Sequence, residues 1–334
     1  MIRASLRRDG ERFALAFLFI LMSVVFSVME PDTFATTASW QIILRSQSVL
    51  GVAALALMIP LVAGNLDLSV GSTLGLSAIA TAAGMSRFDA PLWIAAPVGV
   101  ALGCAVGGVN GALVGWFNIS SIIATLGTAT IIGGVVTWYT NGLSITGHIS
   151  GALSDLGTKN VLGLPRLIVA LAIVCFATWF LLERTVFGRR LFAIGANRDA
   201  APLVGIDVRR MTFVSFVLAG GLAGLGGVLD VAQQGNGNPQ VVGVASILPA
   251  LAAVFLGVTT FRPGVFNVPG AMLGLFFVAA GVSGLTFAGA QPWVQDVFDG
   301  ATLVVAVGIS SALRARASRP PRARTSAPSE QRAA

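Results

Sequence analysis

Residues 185–206 read TVFGRRLFAIGANRDAAPLVGI, a polar, arginine-bearing stretch that lies between two apolar spans. The rest of the chain is short of charge: of its 334 residues, 55% are hydrophobic and only 10% are charged. A segment that only faces lipid has no need of these arginines, and a solvated linker does not carry this mix of Gly, Phe, Leu and Ile. We therefore interpret the stretch as a short basic module that a membrane-embedded chain presents to a soluble partner.

Composition and hydropathy predict the fold class of the whole chain. Its composition departs strongly from that of soluble domains, and runs of about 20 mostly apolar residues are long enough to cross a hydrocarbon core as helices. The sequence predicts an all-α, polytopic membrane protein with about ten transmembrane helices. The predicted spans are 13–29, 48–64, 67–85, 92–115, 120–139, 166–182, 212–230, 246–259, 266–287 and 296–312.

The basic residues are divided unequally between the two predicted sides of the membrane. With the N-terminus inside, only four of the 21 Lys and Arg fall outside, namely Arg45, Arg87, Lys159 and Arg166. Because basic residues are retained on the cytoplasmic side, this bias predicts cytoplasmic N- and C-termini in a multi-pass membrane protein. The net charge of +7 then indicates contact with anionic lipid headgroups, and no nucleic acid is expected as a partner.

The same topology predicts a simple domain organisation. Residues 1–12 form a cytoplasmic N-terminus, and an uncleaved first helix is preferred to a signal peptide because the apolar stretch is long. Residues 13–313 form the transmembrane domain, with a cytoplasmic loop at about 184–211. The Arg-, Ser- and Pro-rich residues 314–334 are predicted to be a disordered cytoplasmic tail, since they cannot bury enough apolar area to fold.

The residues that usually carry chemistry are few. Lys159 is the only lysine and lies in a predicted outer loop, so the chain has no Gly-Lys-Ser/Thr phosphate-binding loop. His148, the only histidine, has no companions at metal-ligand spacing. Cys104 and Cys175 fall in predicted spans and are interpreted as packing residues without a disulfide. We therefore expect no enzyme activity, catalytic residue, cofactor or metal in this chain, and any ATP to be bound by a separate subunit.

Glycines recur every fourth residue in three predicted spans. Small residues at this spacing allow helix backbones to approach closely, which is how helices associate in lipid. We interpret most of these glycines as packing positions, and a glycine-lined solute path in the fourth span stays open as an alternative. The positions are Gly103, Gly107, Gly111 and Gly115, then Gly71 and Gly75, then Gly220 and Gly224.

Polar residues inside predicted spans are expensive to bury and therefore informative. The densest group is NLDLSVGS, residues 65–72, at the junction of the second and third spans. Two interpretations are open: a side-chain cap on the third helix, or a helix break that shapes a transport path or its gate. Threonines on the fifth span are weaker candidates, since Thr often bonds to its own helix. The candidate path or gate residues are Asn65, Asp67, Ser69, Asn110, Thr125 and Thr128.

Four segments, in order, resemble signature segments of the ribose-type permeases of ABC transporters. They are residues 65–72, the IATLGT of residues 123–128, the loop of residues 185–206, and the LPALAAVFLG of residues 248–257. The resemblance covers roughly residues 40–312. It implies an all-helical permease of the branched-chain amino acid and monosaccharide importer superfamily, located in the plasma (inner) membrane of a bacterium. It further implies three partners: a second permease chain in a homo- or heterodimer, an ATPase subunit with two cassettes, and an extracytoplasmic sugar-binding protein.

The resemblance also implies a function. It indicates import of a small neutral sugar, a pentose or another monosaccharide, by alternating access that a separate ATPase drives, and spans of low charge suit such a solute. Two alternatives stay open. The first is a non-sugar cargo, such as an autoinducer, a nucleoside or a polyol. The second is an ion-coupled secondary transporter, for which Asp67 is the one plausible ionisable site.

The same resemblance gives the loop of residues 185–206 the role of coupling the permease to its ATPase. This sequence departs from an uninterrupted helix at Pro202, which is tolerated at a first helical position but not in a helix interior. We therefore expect a helix to begin, or to be broken, at Pro202. Leu203, Val204 and Ile206 would then form an apolar knob that either seats on the ATPase or folds back onto the bundle. The predicted coupling residues are Arg189, Arg190, Gly195, Asn197, Ala200, Ala201, Pro202, Leu203, Gly205 and Ile206.

Overall fold

The computed structural model describes the backbone of residues 2–317 and the side-chain surroundings of residues 13–311. This part of the chain is mostly helical, as a lipid environment favours, because a helix satisfies its own backbone polar groups. The helices are α1 (Ile2–Met29), α2 (Thr37–Val62), α3 (Val70–Phe88), α4 (Leu92–Gly115), α5 (Ser121–Thr140), α6 (Gly151–Thr158), α7 (Arg166–Arg184), α8 (Val186–Ala196), α9 (Val208–Gln234), α10 (Leu248–Gly257), α11 (Val268–Phe287) and α12 (Pro292–Ala317). The described chain also has an antiparallel hairpin of two short strands, β1 (Asn160–Val161) and β2 (Leu164–Pro165).

Seven helices of the described chain are long and apolar enough to cross a membrane: α2, α4, α5, α7, α9, α11 and the Pro292–Ser311 part of α12. Two shorter apolar helical segments, Phe13–Met29 and Ala245–Gly257, add to them. α3 belongs to neither group, and it carries several hydroxyl side chains along its length. The prediction of a mostly helical, multi-span membrane chain is confirmed at this level.

α2 is the centre of the bundle. From Val52 to Ala63 almost every side chain is buried, including Leu55, Leu57 and Met58. α7, α9, α10 and α11 all pack around it. The helix begins at Thr37, well before the span predicted from hydropathy at 48–64. Polar groups in this first part bond to the segment after α6: the Gln41 Nε2 atom donates to a backbone carbonyl there at 2.9 Å.

The bundle has two ends that are recognised by their loops. At the end that carries α8, which we call the α8 end, the Glu183 carboxylate at the close of α7 pairs with the Arg262 guanidinium at 3.1 Å. The opposite end carries the β1–β2 hairpin, and we call it the hairpin end. There Ile145 and Gly237 exchange backbone hydrogen bonds of 2.8 and 2.9 Å, and Phe34 packs edge-on against Phe287.

The glycine stripe of α4 packs against α9. A Cβ atom added at Gly103 would meet the Gly220 carbonyl oxygen, and one added at Gly107 would meet the Phe216 carbonyl oxygen. Further along, a Cβ atom at Gly111 would lie 2.9 Å from the Phe213 Cα atom. The two backbones are therefore in direct contact, as the packing interpretation predicts. We call this contact the α4–α9 seam.

The chain between α9 and α10 is not a continuous helix. After Gly235, residues 236–247 run along α3 toward the α8 end, interrupted only by the 3-10 turns Pro239–Val241 and Ala245–Ile247. The α3 glycines accommodate this segment: a Cβ atom at Gly75 would collide with the Val242 side chain, and one at Gly71 would lie 2.5 Å from the Gly243 carbonyl oxygen. α10, which follows, has only ten residues. The span predicted at 246–259 thus contains a helix of only ten residues, which follows a largely non-α-helical segment.

The terminal segments bear on the predicted domain limits. α1 extends back to Ile2, so the backbone of the predicted cytoplasmic segment 1–12 is helical from its second residue and continuous with the first apolar helix. α12 runs to Ala317. The remainder of the tail predicted at 314–334 lies outside the described residues.

Candidate functional site

The candidate path residues meet around the link between α2 and α3, residues 63–69, which lies toward the α8 end. α2 stops because Gly64 takes a left-handed conformation with φ of +82°, which costs glycine nothing. The Asn65 amide then bonds back to the Pro60 carbonyl at 3.0 Å. We call residues 63–69 the polar link. Within it, Asn65, Asp67 and Ser69 are all buried.

Asp67 shapes the turn that leads into α3. Its Oδ1 atom accepts the Ser69 amide at 2.9 Å and the Ser69 hydroxyl at 2.6 Å. Ser69 occupies the N-cap position but makes no side-chain capping bond. Asp67 therefore satisfies an amide at the start of the third helix, and Ser69 does not.

The network continues from Ser69 into α4 and α5. The Asn110 Nδ2 atom donates to the Ser69 hydroxyl oxygen at 2.8 Å, and the Thr128 hydroxyl donates to the Asn110 Oδ1 atom at 2.7 Å. Because the Ser69 proton points to Asp67, its lone pairs are free to accept from Asn110. Asp67, Ser69, Asn110 and Thr128 thus form one chain of hydrogen bonds through the bundle.

Hydroxyl groups of α5 satisfy the backbone of the polar link. The Leu68 amide donates to the Thr125 hydroxyl oxygen at 3.0 Å, and the Leu66 amide donates to the Ser121 hydroxyl oxygen at 3.2 Å. A non-helical stretch at this depth is tolerated only where protein groups take its polar atoms. The sequence analysis identified Thr125 but missed Ser121, whose position at the first residue of α5 was the available signal.

All six candidate path residues therefore lie at one site. The carboxylate of Asp67 has no ion-pair partner among the described residues, so hydrogen bonds alone offset its removal from water. Burying a charge in this way costs several kcal/mol unless it is compensated. A group that costs this much, at the junction of three helices, is a stronger candidate for function than for scaffold.

An arginine of the 185–206 loop joins this network. The Arg198 Nη1 atom donates to the Asn65 Oδ1 atom at 3.3 Å. The Asn65 Nδ2 atom is buried and has no hydrogen-bond partner among the described residues. Arg198 was not among the predicted site residues. The structure thus places the predicted path residues and the predicted coupling loop in direct contact.

α8 is an amphipathic helix laid against the end of the bundle. The Thr185 hydroxyl caps it by accepting the Gly188 amide at 3.3 Å. Leu191 and Ile194 are buried, whereas Arg189 and Arg190 are exposed. Gly195 lies flush against the end of α2, where an added Cβ atom would collide with the Val62 carbonyl oxygen. One face of α8 is thereby fixed to α2, and the arginines project from the other.

After α8 the loop folds into a compact turn. The Asn197 Oδ1 atom accepts the Asp199 and Ala200 amides at 3.1 and 3.0 Å. Ala201–Val204 then forms a single 3-10 helix with Pro202 in its first turn, and Gly205 ends it with φ of +77°. Pro202 therefore belongs to a four-residue helix that begins one residue earlier, at Ala201, and α8 has already ended at Ala196.

The predicted apolar knob is divided by the structure. Leu203 and Val204 project from the turn with 86% and 75% of their surface exposed. Ile206 is half-buried and packs against the main core of the bundle. Leu203 and Val204 thus project away from the bundle, whereas Ile206 folds back onto it.

Comparison with known proteins agrees with this architecture. The family model described as the branched-chain amino acid transport system permease component matches residues 40–307. The ribose import permease protein RbsC of Haemophilus influenzae is 32% identical over 293 residues, covering 87% of this chain and 90% of that protein. The D-allose transport system permease protein AlsC of Escherichia coli is 29% identical over 299 residues, covering 90% and 91%.

A third relative has a different kind of cargo in its name. The autoinducer 2 import system permease protein LsrD of Photorhabdus temperata is 30% identical over 309 residues, covering 90% of this chain and 91% of that protein. No solved structure matches significantly. The prediction of a multi-pass protein of the bacterial inner membrane is confirmed by these relatives and by the apolar helices. The chain belongs to the family of branched-chain amino acid transport system permease components.

Proposed function

We propose that this chain is the membrane permease of an ABC importer that carries a small neutral sugar, a pentose or another monosaccharide, into the cytoplasm. The observation that carries the proposal is the contact between the polar link and the 185–206 loop through Arg198 and Asn65. The relatives named for ribose and allose support a sugar as cargo. The permease itself is non-catalytic in this proposal and binds no cofactor.

The proposed topology has about ten spans with both termini in the cytoplasm. α3 and the irregular segment before α10 support this count, because both lie alongside helices that are long enough to span. The α8 end is then cytoplasmic. Exposed arginines of the loop, among them Arg189 and Arg190, lie at that end, as the retention of basic residues on the cytoplasmic side requires.

The proposed partners follow from this topology. An ATPase subunit with two cassettes binds ATP and docks on the exposed face of α8 and on the 3-10 turn with Leu203 and Val204. A second permease chain completes a homo- or heterodimer, and an extracytoplasmic binding protein delivers the solute at the hairpin end. Lipid surrounds the exposed apolar helix faces.

In this mechanism the ATPase changes the conformation of the permease through the polar link. α8 is fixed to the end of α2 by Gly195, and the turn that follows α8 is joined to Asn65 by Arg198. A displacement of the loop therefore acts on the turn that Asp67 holds, and through Ser69 and Asn110 on α4 and α5. ATP binding must favour one conformer by about 5.5 kcal/mol to move a 1:99 equilibrium to 99:1. Asn65, Asp67, Ser69, Asn110, Thr125 and Thr128 are proposed as the gate or path.

A second cargo class has a specific observation in its favour. The relative named for autoinducer 2 matches this chain at nearly the same identity as those named for sugars. An autoinducer is therefore the leading alternative, ahead of nucleosides or polyols. An ion-coupled secondary transporter is a weaker alternative, since it leaves the basic face of α8 without a role.

The test is ATP-dependent uptake in proteoliposomes that contain this permease, its ATPase and its binding protein, with D-ribose, D-allose and autoinducer 2 as labelled solutes. We expect uptake of one of the sugars that requires internal ATP and is insensitive to ionophores. Uptake of autoinducer 2 alone would replace the sugar by the second cargo. Uptake that an ion gradient drives without ATP would contradict the importer class.

A further inference from the structure

A cavity of about 100 Å³ lies between α2, α10, α11 and α12, away from the polar link. It is near the hairpin end, because its lining includes the last turns of α11 and the first turns of α12. Four of the lining side chains are polar: Gln47, Ser283, Gln295 and Asp299. Polar groups from three helices converge here on a space inside an otherwise apolar bundle.

Asp299 is the unusual member of this group. It lies in the apolar Pro292–Ser311 stretch of α12, and its Oδ1 atom is buried without a hydrogen-bond partner among the described residues. Asp296, three residues earlier on the same helix, is exposed. A buried oxygen without a partner is costly, and ionisable residues inside spans commonly mark solute pathways. The Oδ1 atom of Asp299 could therefore accept a hydrogen bond from a ligand that donates one.

The start of α10 faces the same cavity. Pro249, in the first turn of α10, lines it, and the preceding residues 236–247 are largely irregular. Transporters often place solute sites where a span is discontinuous, because backbone groups and helix termini become available there. The cavity thus combines a discontinuous span with a half-buried carboxylate whose Oδ1 atom has no hydrogen-bond partner among the described residues.

We propose that this cavity is a subsite for hydroxyl groups of the transported solute, with Asp299 as the principal acceptor. A carboxylate accepts from two hydroxyls, a glutamine amide both donates and accepts, and a serine hydroxyl does either. The set therefore suits a neutral, polyhydroxylated solute. The inference rests on the proposed function and adds residues that the sequence analysis did not identify.

The size of the cavity sets the scope of the subsite. It is several times the roughly 10–15 Å³ of probe-occupied volume that one water needs. It is also well below the roughly 300–1,000 Å³ of a pocket that encloses a whole drug-sized ligand. In this conformation it takes one hydroxylated edge of a monosaccharide and not the entire ring.

The test compares Asp299→Asn with Asp296→Asn in the full assembly of permease, ATPase and binding protein. The solute is whichever of D-ribose, D-allose and autoinducer 2 the wild type imports. We expect Asp299→Asn to lower uptake about tenfold, as for loss of a hydrogen bond to a charged group, while binding-protein-stimulated ATP hydrolysis and the melting temperature stay at wild-type values. Asp296→Asn should leave all three measurements unchanged.

A second variant covers the case in which Asp299→Asn does not fold. Ser283→Ala removes one hydroxyl from the other wall, and we expect uptake to fall about threefold, as for loss of a neutral hydrogen bond. Wild-type uptake by both Asp299→Asn and Ser283→Ala would overturn the subsite and leave the proposed function intact. A parallel loss of uptake, ATP hydrolysis and melting temperature would assign Asp299 a structural role and also overturn it. Absence of ATP-dependent uptake of all three solutes by the wild type would contradict the proposed function and the subsite together.

Discussion

The α4–α9 seam and the polar link join helices in opposite ways. In the seam, Gly103 and Gly107 bring the α4 backbone into contact with the α9 backbone, and no side chain lies between them. In the polar link, Asp67, Ser69 and Asn110 hold a non-helical turn through side-chain hydrogen bonds of 2.6–2.9 Å. At the seam the two backbones touch because the glycines have no side chains. At the link, polar side chains hold the helices together through hydrogen bonds.

From this difference we infer which part of the bundle can move. Closely packed backbones lose many small dispersion contacts on any displacement, so α4 and α9 are expected to move as one body. Hydrogen bonds of the link are few and can exchange partners, and Arg198 connects them to the 185–206 loop. We therefore expect the seam to determine stability and the link to determine transport.

The largest effect is expected from filling the seam. In Gly107→Val, the new side chain would collide with the Phe216 carbonyl group, and overpacking of this kind lowers the free energy of unfolding by about 3 kcal/mol. We expect a melting temperature in detergent several degrees below wild type, or loss of the protein from the membrane. Gly133→Ala on α5 is the matched control, since a Cβ atom there has no neighbour within 4 Å. A Gly107→Val protein as stable as that control would show that the seam is not close-packed.

The polar link should respond in transport and not in stability. Asp67→Asn keeps the shape of the side chain but weakens the acceptor of two hydrogen bonds, so uptake should fall about tenfold. Asp89→Asn, at the exposed far end of α3, should transport normally. The measurement is the initial uptake rate with membrane insertion checked in parallel. If Asp67→Asn matches Asp89→Asn, the gate role of Asp67 is wrong.

Charge reversal on α8 tests the surface that the link connects to. Arg189 and Arg190 are exposed, so Arg189→Glu with Arg190→Glu should leave the melting temperature unchanged and weaken co-purification of the ATPase about tenfold, as for interfacial charges of the wrong sign. Undiminished co-purification and uptake would remove α8 from the interface.

A smaller effect should separate the two halves of the apolar turn. Leu203→Asp alters an exposed side chain, and we expect lower binding-protein-stimulated ATP hydrolysis at unchanged stability. Ile206→Asp places a charge against the core, so the isolated permease should lose stability by about 1–3 kcal/mol. The reverse assignment of the two effects would show that Ile206, and not Leu203, meets the ATPase.

The polar network of the site was identified from the sequence, and its role as path or gate stays a prediction. Polar residues in apolar spans are costly, so Asn65, Asp67 and Asn110 were visible without a structure, and all six candidates lie together. The glycine stripe of α4 was equally readable, because its four-residue spacing has one strong packing interpretation.

Other features left no comparable pattern. In the sequence, nothing distinguishes Arg198 from the other arginines of its loop. Only the structure shows its hydrogen bond to Asn65. The irregular segment before α10 has the Gly, Asn and Gln residues of an ordinary loop, so its sequence does not indicate that it runs along α3. The first part of α2 was missed because Gln41 and Arg45 lower its hydropathy. In the structure Gln41 bonds to the segment after α6, and Arg45 bonds to Thr158 at the end of α6. Each depends on a contact between residues far apart in sequence.

We propose that the 185–206 loop acts on the path through Arg198 and Asn65. The most direct test is the number of solute molecules imported per ATP hydrolysed, measured for Arg198→Ala and wild type in the same proteoliposomes. Arg198 bonds to Asn65 in the proposed path, and the nucleotide is proposed to bind a separate subunit. We therefore expect ATP hydrolysis to continue while this ratio falls about threefold, as for loss of one partly exposed hydrogen bond. If Arg198→Ala assembles and hydrolyses ATP and its ratio equals that of wild type, the 185–206 loop does not act on the path through Arg198.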